Sequence, residues 1–563
     1  MEERPWHGSY DRGVPRRIDY EALPVTAFLE RSAERHGDAT ALIFLNARMS
    51  YAELAREVAR CATALARLGV GPGSKVAIQL PNLPQTVIAY YAILSLGGVV
   101  VMTNPLYTPR EIEHQWTDAG CELAVVADFI FEQKLRAIRD ELPVRNYVIA
   151  SISEYVRAPL RWIVPFALRR QKHAPIASVA PGEGIHFFRE LVDSAPPKPP
   201  HPAIDLDEVA VLQYTGGTTG VSKGAALTHR NLSCNVQQVN TWFLDVQIGK
   251  EVILTALPLF HVFGMTVAMN WAVLTAAAQV ILPDPRSVAR LVKSIEKHRV
   301  SLFPAVPAMF NAINNFPGIG GRDLSSVKSC FSGSAPLPVD VLERFEKLTG
   351  ARILEGFGLT ETSPVTHVNP MEGARKIGSI GIPVSDTDAR VVDADGGLEE
   401  KPVGEHGELL IKGPQVMQGY WNMPEESAGT FEDGWLRTGD LASMDEEGYF
   451  RIVGRKKDMI IAGGYNVYPD EIDDILMAHP DVLEAATIGV PDERRGETVK
   501  SFVVPQPGSR LTAEVLEAYC RDNLAAYKVP RAFEFLDELP KSTVLKVLRR
   551  ELRDREIAKL EGK

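Results

Sequence analysis

Cysteine is scarce in this chain: five in 563 residues, at positions 61, 121, 234, 330 and 520, odd in number and without a C-x-x-C pair. Such spacing excludes a disulfide scaffold and offers no zinc or thiol-redox motif, so a reduced intracellular setting is expected. Basic charge is not in excess either. Lys and Arg number 61 against 72 Asp and Glu, a formal net charge of −11, which argues against a nucleic-acid partner while leaving room for a local basic site. The opening "MEERPWHGSYDRGVPRRIDY" lacks the apolar stretch of a secretory signal, and a cytoplasmic location is expected. There is no fixed-period repeat and no low-complexity tract. Charged residues are absent from Val76 to Pro109 and from Val252 to Pro283, yet neither stretch is a continuous apolar run. Pro81, Pro84 and Gly97-Gly98 break the first; Pro258, His261 and Gly264 break the second. Each reads as a helix followed by a buried strand rather than a membrane crossing.

The composition, 45% hydrophobic and 24% charged, is that of a globular protein, and the length exceeds the roughly 250 to 300 residues that one core supports. Strand-like runs ("KVAIQL", "ELAVVAD", "EVAVLQY", "EVILTAL", "AQVIL", "VSLFPAV") alternate with amphipathic helical segments such as "YAELAREVARCATALARLG" and "RSVARLVKSIEKHR". This alternation predicts an α/β fold with largely parallel sheets covered by helices on both faces. After about residue 380, "ARVVDADG", "GELLIKGP" and "GYFRIVGR" predict an antiparallel β-rich subdomain, and the last hundred or so residues a small α+β domain. The segment 155–172, "YVRAPLRWIVPFALRRQK", combines Trp, Phe and Ile with five basic residues. It reads either as a solvated surface insertion or as a contact with an anionic bilayer, and Pro159 and Pro165 prevent a long continuous helix there.

"EVAVLQY" is followed at once by Thr215-Gly216-Gly217-Thr218-Thr219-Gly220, with Lys223 close behind. Glycines let backbone N–H groups approach phosphate oxygens, threonines add hydroxyl donors and the lysine adds charge, so the loop is a phosphate-binding candidate. It is not a P-loop, because Ser222 and Gly224 flank Lys223. Gly220-Val221-Ser222-Lys223-Gly224 also matches the G-x-S-x-G of hydrolases, but that serine belongs on a sharp turn directly after its strand. Downstream, "LEGFGLTETSP" offers Thr360 and Glu361 beside a glycine turn, suited to Mg²⁺ that also binds substrate phosphates. "WLRTGDL" places Asp440 after a turn, where its carboxylate can accept from two vicinal hydroxyls or simply cap the turn. "GRKKDMI" and "LPKSTVLKVLRREL" carry Arg455, Lys456, Lys457, Lys541 and Lys546, basic runs that are ordinarily solvated faces.

In this order, "YTGGTTGVSKGA", "EGFGLTE", "WLRTGDL" and "GRKKDMIIAGGYNVYP" resemble the adenylate-forming superfamily over nearly the whole chain. With "VMTNPLYTPRE", "LPLFHVFGM", "SGSAPLP" and the 155–172 insertion, the sequence is most similar to long-chain fatty acid CoA ligases. The resemblance implies an N-terminal adenylation domain of stacked α/β/α subdomains plus the β-rich subdomain (1–456) and a mobile C-terminal domain (457–563). It implies ATP, Mg²⁺, coenzyme A and a fatty acid as reactants, through an acyl-AMP intermediate.

Carried over residue by residue, Thr215, Thr218, Thr219 and Lys223 hold the triphosphate, and Glu361 with Thr215 serves the metal. Gly333, Ser334, Ala335 and Pro336 with Gly356 and Phe357 form the adenine slot, Thr360 meets phosphate or carboxylate, and Asp440 and Arg455 meet ribose. Tyr214, Gly216, Gly217, Gly220, Glu355, Gly358 and Ile452 complete the nucleotide set. Lys546 bridges acyl carboxylate and nucleotide, Lys457 is the hinge, Gly463 and Gly464 pass the pantetheine arm, and His261 lies at the acyl end of the cleft or in the core. Met265, Val267, Met269 and Trp271 are tunnel wall or plain core. One departure stands out: Leu545 precedes Lys546 where the family pattern has glycine, restricting the backbone there. The alternatives are therefore a catalytically weak ATP/acyl-binding homologue, or an acyl-AMP ligase delivering to a carrier protein. A homodimer and peripheral contact with the inner face of the membrane stay open.

Overall fold

The first charge-free run folds as the strand Lys75–Gln79, the helix Pro84–Ser95 and the strand Val99–Met102. The second gives the strand Val252–Thr255, a π-helical turn Gly264–Asn270 continued by Trp271–Leu274, and the strand Ala278–Ile281. No helix among the described residues is long and apolar enough to cross a membrane. The computed structural model describes residues 3–170, 175–215, 222–394, 396–462, 465–492, 496–542 and 547–561, with the side chains of 169, 465, 466, 496, 560 and 561 left aside. The chain forms two compact units, residues 1–388 with 412–434, and residues 389–411 with 435–563.

Two sheets build the first unit. A seven-stranded sheet runs in the order Ile185–Phe187, Asn146–Ala150, Leu123–Ala127, Lys75–Gln79, Val99–Met102, Val209–Thr215, Lys223–Thr228, parallel except for its last pair. The nine-stranded sheet has the order Ile382–Pro383, Val365–Val368, Arg352–Gly358, Ser329–Ser332, Leu302–Ala305, Val252–Thr255, Ala278–Ile281, Thr40–Phe44, Ala47–Ser50, with a parallel middle and antiparallel edges. These parallel strands are Val-, Ile- and Ala-rich because both faces are covered, which is the expected texture of a doubly covered sheet.

The helix Tyr51–Arg67 starts where the sequence signals it. Ser50 Oγ accepts from Glu53 N at 3.2 Å and the Glu53 carboxylate accepts from Ser50 N at 2.8 Å, satisfying two otherwise orphaned donors. Helix Pro84–Ser95, packed against it, has no solvent face: every side chain from Pro84 to Leu94 is buried. Its polar groups therefore find partners inside. Tyr91 donates to Asn270 Oδ1 at 2.8 Å, and Asn270 Nδ2 donates to the Tyr90 hydroxyl at 3.0 Å. Near the N-terminus, the Asp11 carboxylate accepts from the N–H groups of Met371, Glu372 and Gly373 at 2.5, 2.9 and 2.5 Å, fixing the turn after Val365–Val368.

In the second unit, Gly407–Lys412 and Phe450–Arg455, which the short runs and Gly turns predict, pair antiparallel with the ten-residue strand Trp435–Met444, which holds Asp440 within it. A further sheet carries the long hairpin Val482–Asp492 and Gly496–Pro505, flanked by Ile460–Ala462, Tyr465–Val467 and Ala532–Phe535. One of its cores gathers Ile460, Val467, Ile472, Leu476 and Leu516; another gathers Ile488, Phe502, Leu539 and Leu552. Arg549 bonds both Asp470 and Asp473, joining the helices Arg549–Glu561 and Pro469–Met477.

Candidate active site

The glycine- and threonine-rich loop leaves one strand and returns into its neighbour. Tyr214 pairs with Gly224 and Thr215 with Lys223 across the antiparallel ladder, so the base of the loop is fixed by backbone register. A Cβ on Gly224 would lie 3.0 Å from the Tyr214 ring, so glycine is what lets the two strands close here. Tyr214 donates to Asp118 Oδ2 at 2.6 Å, and burial beside that carboxylate holds the phenol well above its usual range. Its hydroxyl thus anchors the loop base. Gly216, Gly217, Thr218, Thr219 and Gly220 lie outside the described residues. Ser222 leads into the strand Lys223–Thr228, not from a strand into a helix, so the geometry of a nucleophile elbow is missing.

Lys223 Nζ lies 2.5 Å from Glu426 Oε2 and 5.3 Å from the centroid of the Tyr420 ring. The Tyr420 hydroxyl in turn donates to Glu361 Oε1 at 2.8 Å, and Met417 N donates to the Glu361 carbonyl at 2.8 Å. Residues 417–426 thus hold both the loop lysine and the turn carboxylate. Glu361 sits half-buried in the 3-10 turn Thr360–Thr362. The turn is locked by Thr362 Oγ1 donating to the Pro364 carbonyl at 2.6 Å and by Ser363, at φ 71°, donating to the Gln415 carbonyl at 2.9 Å. Sequence reasoning missed Tyr420 and Glu426: "GYWNMPEES" carries an unpaired-looking acidic pair and an aromatic, a signal too common to single out.

Gly333 follows the strand Ser329–Ser332, and Gly356 to Gly358 end its parallel neighbour Arg352–Gly358, with Ser332 opposite Glu355. Both segments therefore reach the carboxyl ends of adjacent parallel strands, where open α/β sheets form their crevices. Glu355 accepts from Leu337 N at 3.1 Å and ties the loop through Ala335 and Pro336 to that neighbour. Ser334 takes a left-handed φ of 74°. A Cβ on Gly356 would run into the Phe331 ring, and one on Gly358 into the Pro364 carbonyl. Glycine at these two positions is what lets the Phe331 ring and the Pro364 backbone pack directly against the strand.

His261 is half-buried, and its Nδ1 accepts from Phe263 N at 3.3 Å. Thr266, inside the π-helical turn, donates to the Ser363 carbonyl at 2.6 Å and so links this segment to the Glu361 turn. Met265, Val267, Met269 and Trp271 are all buried.

In the second unit, Asp440 faces Arg455 in register, with Asp440 Oδ1 2.9 Å from Arg455 Nε. Asp440 is 2% exposed, and its N–H donates to Thr438 Oγ1 at 3.1 Å. Ile452 lies on the same strand as Arg455, half-buried. Lys457 is exposed in the short turn Lys456–Asp458 that follows. Lys541 is engaged by Glu484. Gly463, Gly464, Leu545 and Lys546 lie outside the described residues.

Among the described residues no three His, Cys, Asp or Glu side chains could hold a metal. A divalent ion at Glu361 would need phosphate oxygens to complete its shell, which is the usual manner of Mg²⁺ at nucleotides. A lone carboxylate steadied by Tyr420, with a lysine across the same ring, fits that group.

The family model for AMP-binding enzymes matches residues 29–421, and the model for their C-terminal domain matches residues 471–546. A long-chain-fatty-acid–CoA ligase of Bacillus subtilis is 42% identical over 98% of both chains, and one of Escherichia coli O6:H1 is 41% identical over the full length of both. Among solved structures, an anthranilate CoA ligase in complex with anthranoyl-AMP superposes with a TM-score of 0.85 at 27% identity, over 96% of this chain and 98% of that one. ATP-bound MatB from Rhodopseudomonas palustris gives 0.82 at 29% identity, over 95% and 99%. With a matching model over most of its length and relatives above 40% identity across all of it, the chain belongs to the AMP-binding enzyme family.

Proposed function

We infer that the protein activates a long-chain fatty acid with ATP and passes the acyl group to coenzyme A, releasing AMP and pyrophosphate. The observation that carries this reading is the pairing of Lys223 and Glu361 about Tyr420, a cation for phosphate and a carboxylate for its metal held by one side chain. A carboxylate is a poor acyl donor because its leaving group would be oxide. In the first step a carboxylate oxygen attacks the α-phosphorus, and the bond to the bridging oxygen of the β-phosphate breaks. In the second, the thiol sulfur attacks the acyl carbon and AMP departs.

Lys223 with the loop hydroxyls would hold the β- and γ-phosphates that leave as pyrophosphate. Glu361 and Thr215 would hold Mg²⁺, which when bound neutralises phosphate charge. Gly333 to Pro336 and Gly356 to Gly358 would flank adenine, since both segments lie at the carboxyl ends of adjacent parallel strands, where α/β sheets form their crevices. Asp440, oriented by Arg455, would accept from the ribose hydroxyls. Lys546 would lower the repulsion between the carboxylate and the triphosphate. The two steps need different surroundings, and we propose that residues 457–563 turn about Lys457 between them.

Product mass analysis with ATP, CoA and fatty acids of graded chain length tests the reading. Acyl-CoA and AMP are expected. Acyl-AMP without acyl-CoA would favour delivery to a carrier protein, and neither product would leave a binding homologue.

A further inference from the structure

The adenylation chemistry makes no use of residues 155–170, although they hold an unusual concentration of exposed apolar surface. The helix Leu160–Arg169 forms despite Pro165 inside it. Trp162, Ile163 and Phe166, spaced to share one side, are 71%, 51% and 60% exposed. Other exposed large apolar residues among those described are scattered along the chain, and scattered ones need no explanation whereas a contiguous patch does. The Arg170 guanidinium lies 4.1 Å from the Phe166 ring centroid, adding a cation to this face.

A cavity of about 300 Å³ opens at the start of the same helix. Its buried lining includes Leu42, Phe44 and Val156, and its exposed lining Arg48, Arg157 and Arg161. None of these three arginines forms an ion pair with a carboxylate among the described residues; the Arg157 guanidinium donates to the Arg48 carbonyl at 3.2 Å. The Arg157 backbone is held in place by Asn46, which donates to its carbonyl at 3.0 Å and accepts from its N–H at 3.1 Å. The two carboxylates of the lining do not cancel this charge. Asp193 is taken by Arg189, Nε to Oδ2 at 2.9 Å. Glu154 accepts from Gln85 at 2.7 Å, and burial pushes its carboxyl up to about 7.

We propose that this cavity seats the headgroup phosphate of an anionic phospholipid while Trp162, Ile163 and Phe166 enter the same leaflet. Guanidinium forks match phosphate oxygens in pairs, and a tryptophan flanked by arginines is the composition of a segment lying in the headgroup region. The cavity, about 300 Å³, is at the lower end of the roughly 300 to 1,000 Å³ of ligand sites, enough for a headgroup and not for a long acyl chain. The acyl chains of the lipid stay in the bilayer, where the apolar face of the helix meets them.

The proposal is independent of the adenylation reading, and vesicle co-sedimentation of the full chain tests it. Binding is expected to vesicles of phosphatidylglycerol and phosphatidylcholine and to fall at least tenfold on pure phosphatidylcholine. The triple variant Arg48→Gln, Arg157→Gln, Arg161→Gln should lose that preference, with activity on a short, water-soluble fatty acid unchanged. A second variant, Trp162→Ser with Phe166→Ser, alters only exposed side chains and should lose vesicle binding with its arginines intact. Equal binding to both vesicles, or retained binding by either variant, overturns the proposal. So does protection of residues 155–161 from hydrogen exchange by inorganic phosphate alone, which would mark a site for a free anion.

Discussion

Lys223 and Glu426 stand 2.5 Å apart, so the cation expected to meet the triphosphate is already held by a carboxylate of its own chain. Phosphate oxygens must displace Glu426 to reach it. Glu426 is 47% exposed at its side chain and Lys223 12%, so water screens the pair to about 0.2 to 1 kcal/mol. Glu426→Gln should therefore lower the KM for ATP in fatty-acid-dependent pyrophosphate exchange by up to about fivefold. The effect should shrink at high salt. A higher KM would mean that Glu426 aims the lysine rather than competing for it.

Tyr420→Phe removes the hydroxyl that steadies Glu361 and nothing else. Hydrogen bonds to charged groups contribute about 1.5 to 3 kcal/mol, so the Mg²⁺ concentration for half-maximal exchange should rise by roughly tenfold or more. Glu361→Ala should remove most exchange at any Mg²⁺ concentration while Tm stays close to that of the wild type.

Lys457→Pro tests the hinge. Proline fixes φ near −65° and so disfavours one of two hinge conformations. Acyl-AMP formation should survive and thioester formation should fail. Equal loss of both half-reactions in a variant with wild-type Tm would refute the assignment.

The βαβ architecture was legible because strands covered on both faces read as runs of Val, Ile and Ala, and because Pro84, Gly97 and Gly98 punctuate them. Part of the antiparallel sheet was legible for a similar reason, in the short runs Gly407–Lys412 and Phe450–Arg455 and their glycine turns, whereas the ten-residue strand that carries Asp440 read as a turn. What the sequence could not show was Tyr420 beside Glu361. Their contact spans a separation of 59 residues and depends on where the Ser363 turn meets the Gln415 carbonyl. Likewise, an acidic residue after "NMP" says nothing of Lys223 until the strand Lys223–Thr228 is in place. Side chains that pair across distant loops leave no periodic trace in the sequence.

Two buried histidines set an acid limit on stability. Burial holds His367 down at about 3 and His229 at about 4, both below the ordinary 6.5. Each contributes stability that is complete above pH 6.5, where the unfolded chain is also neutral. That stability is lost as pH falls through 6.5 toward the folded values, at about 1.4 kcal/mol per pH unit per histidine. Urea midpoints should fall between pH 7 and pH 5, and His367→Gln should flatten that fall by close to one proton. An unchanged slope in the variant would show that His367 takes up its proton without unfolding.

Leu545→Gly should raise the adenylation rate if that backbone limits the entry of Lys546, since leucine disfavours regions open to glycine by roughly 1 to 2 kcal/mol. Lys546→Ala should abolish adenylation in both backgrounds and spare CoA attack on preformed acyl-AMP. Rapid-quench measurement of each half-reaction separates the two.

The helix Pro84–Ser95 has no side on which change is free. Tyr90 and Tyr91 share Asn270, and every residue through Leu94 is enclosed. Substitutions there alter packing on all sides at once, so this helix should drift only through compensated pairs. A single change anywhere from Pro84 to Leu94 therefore has to be absorbed by neighbours on every side of the helix.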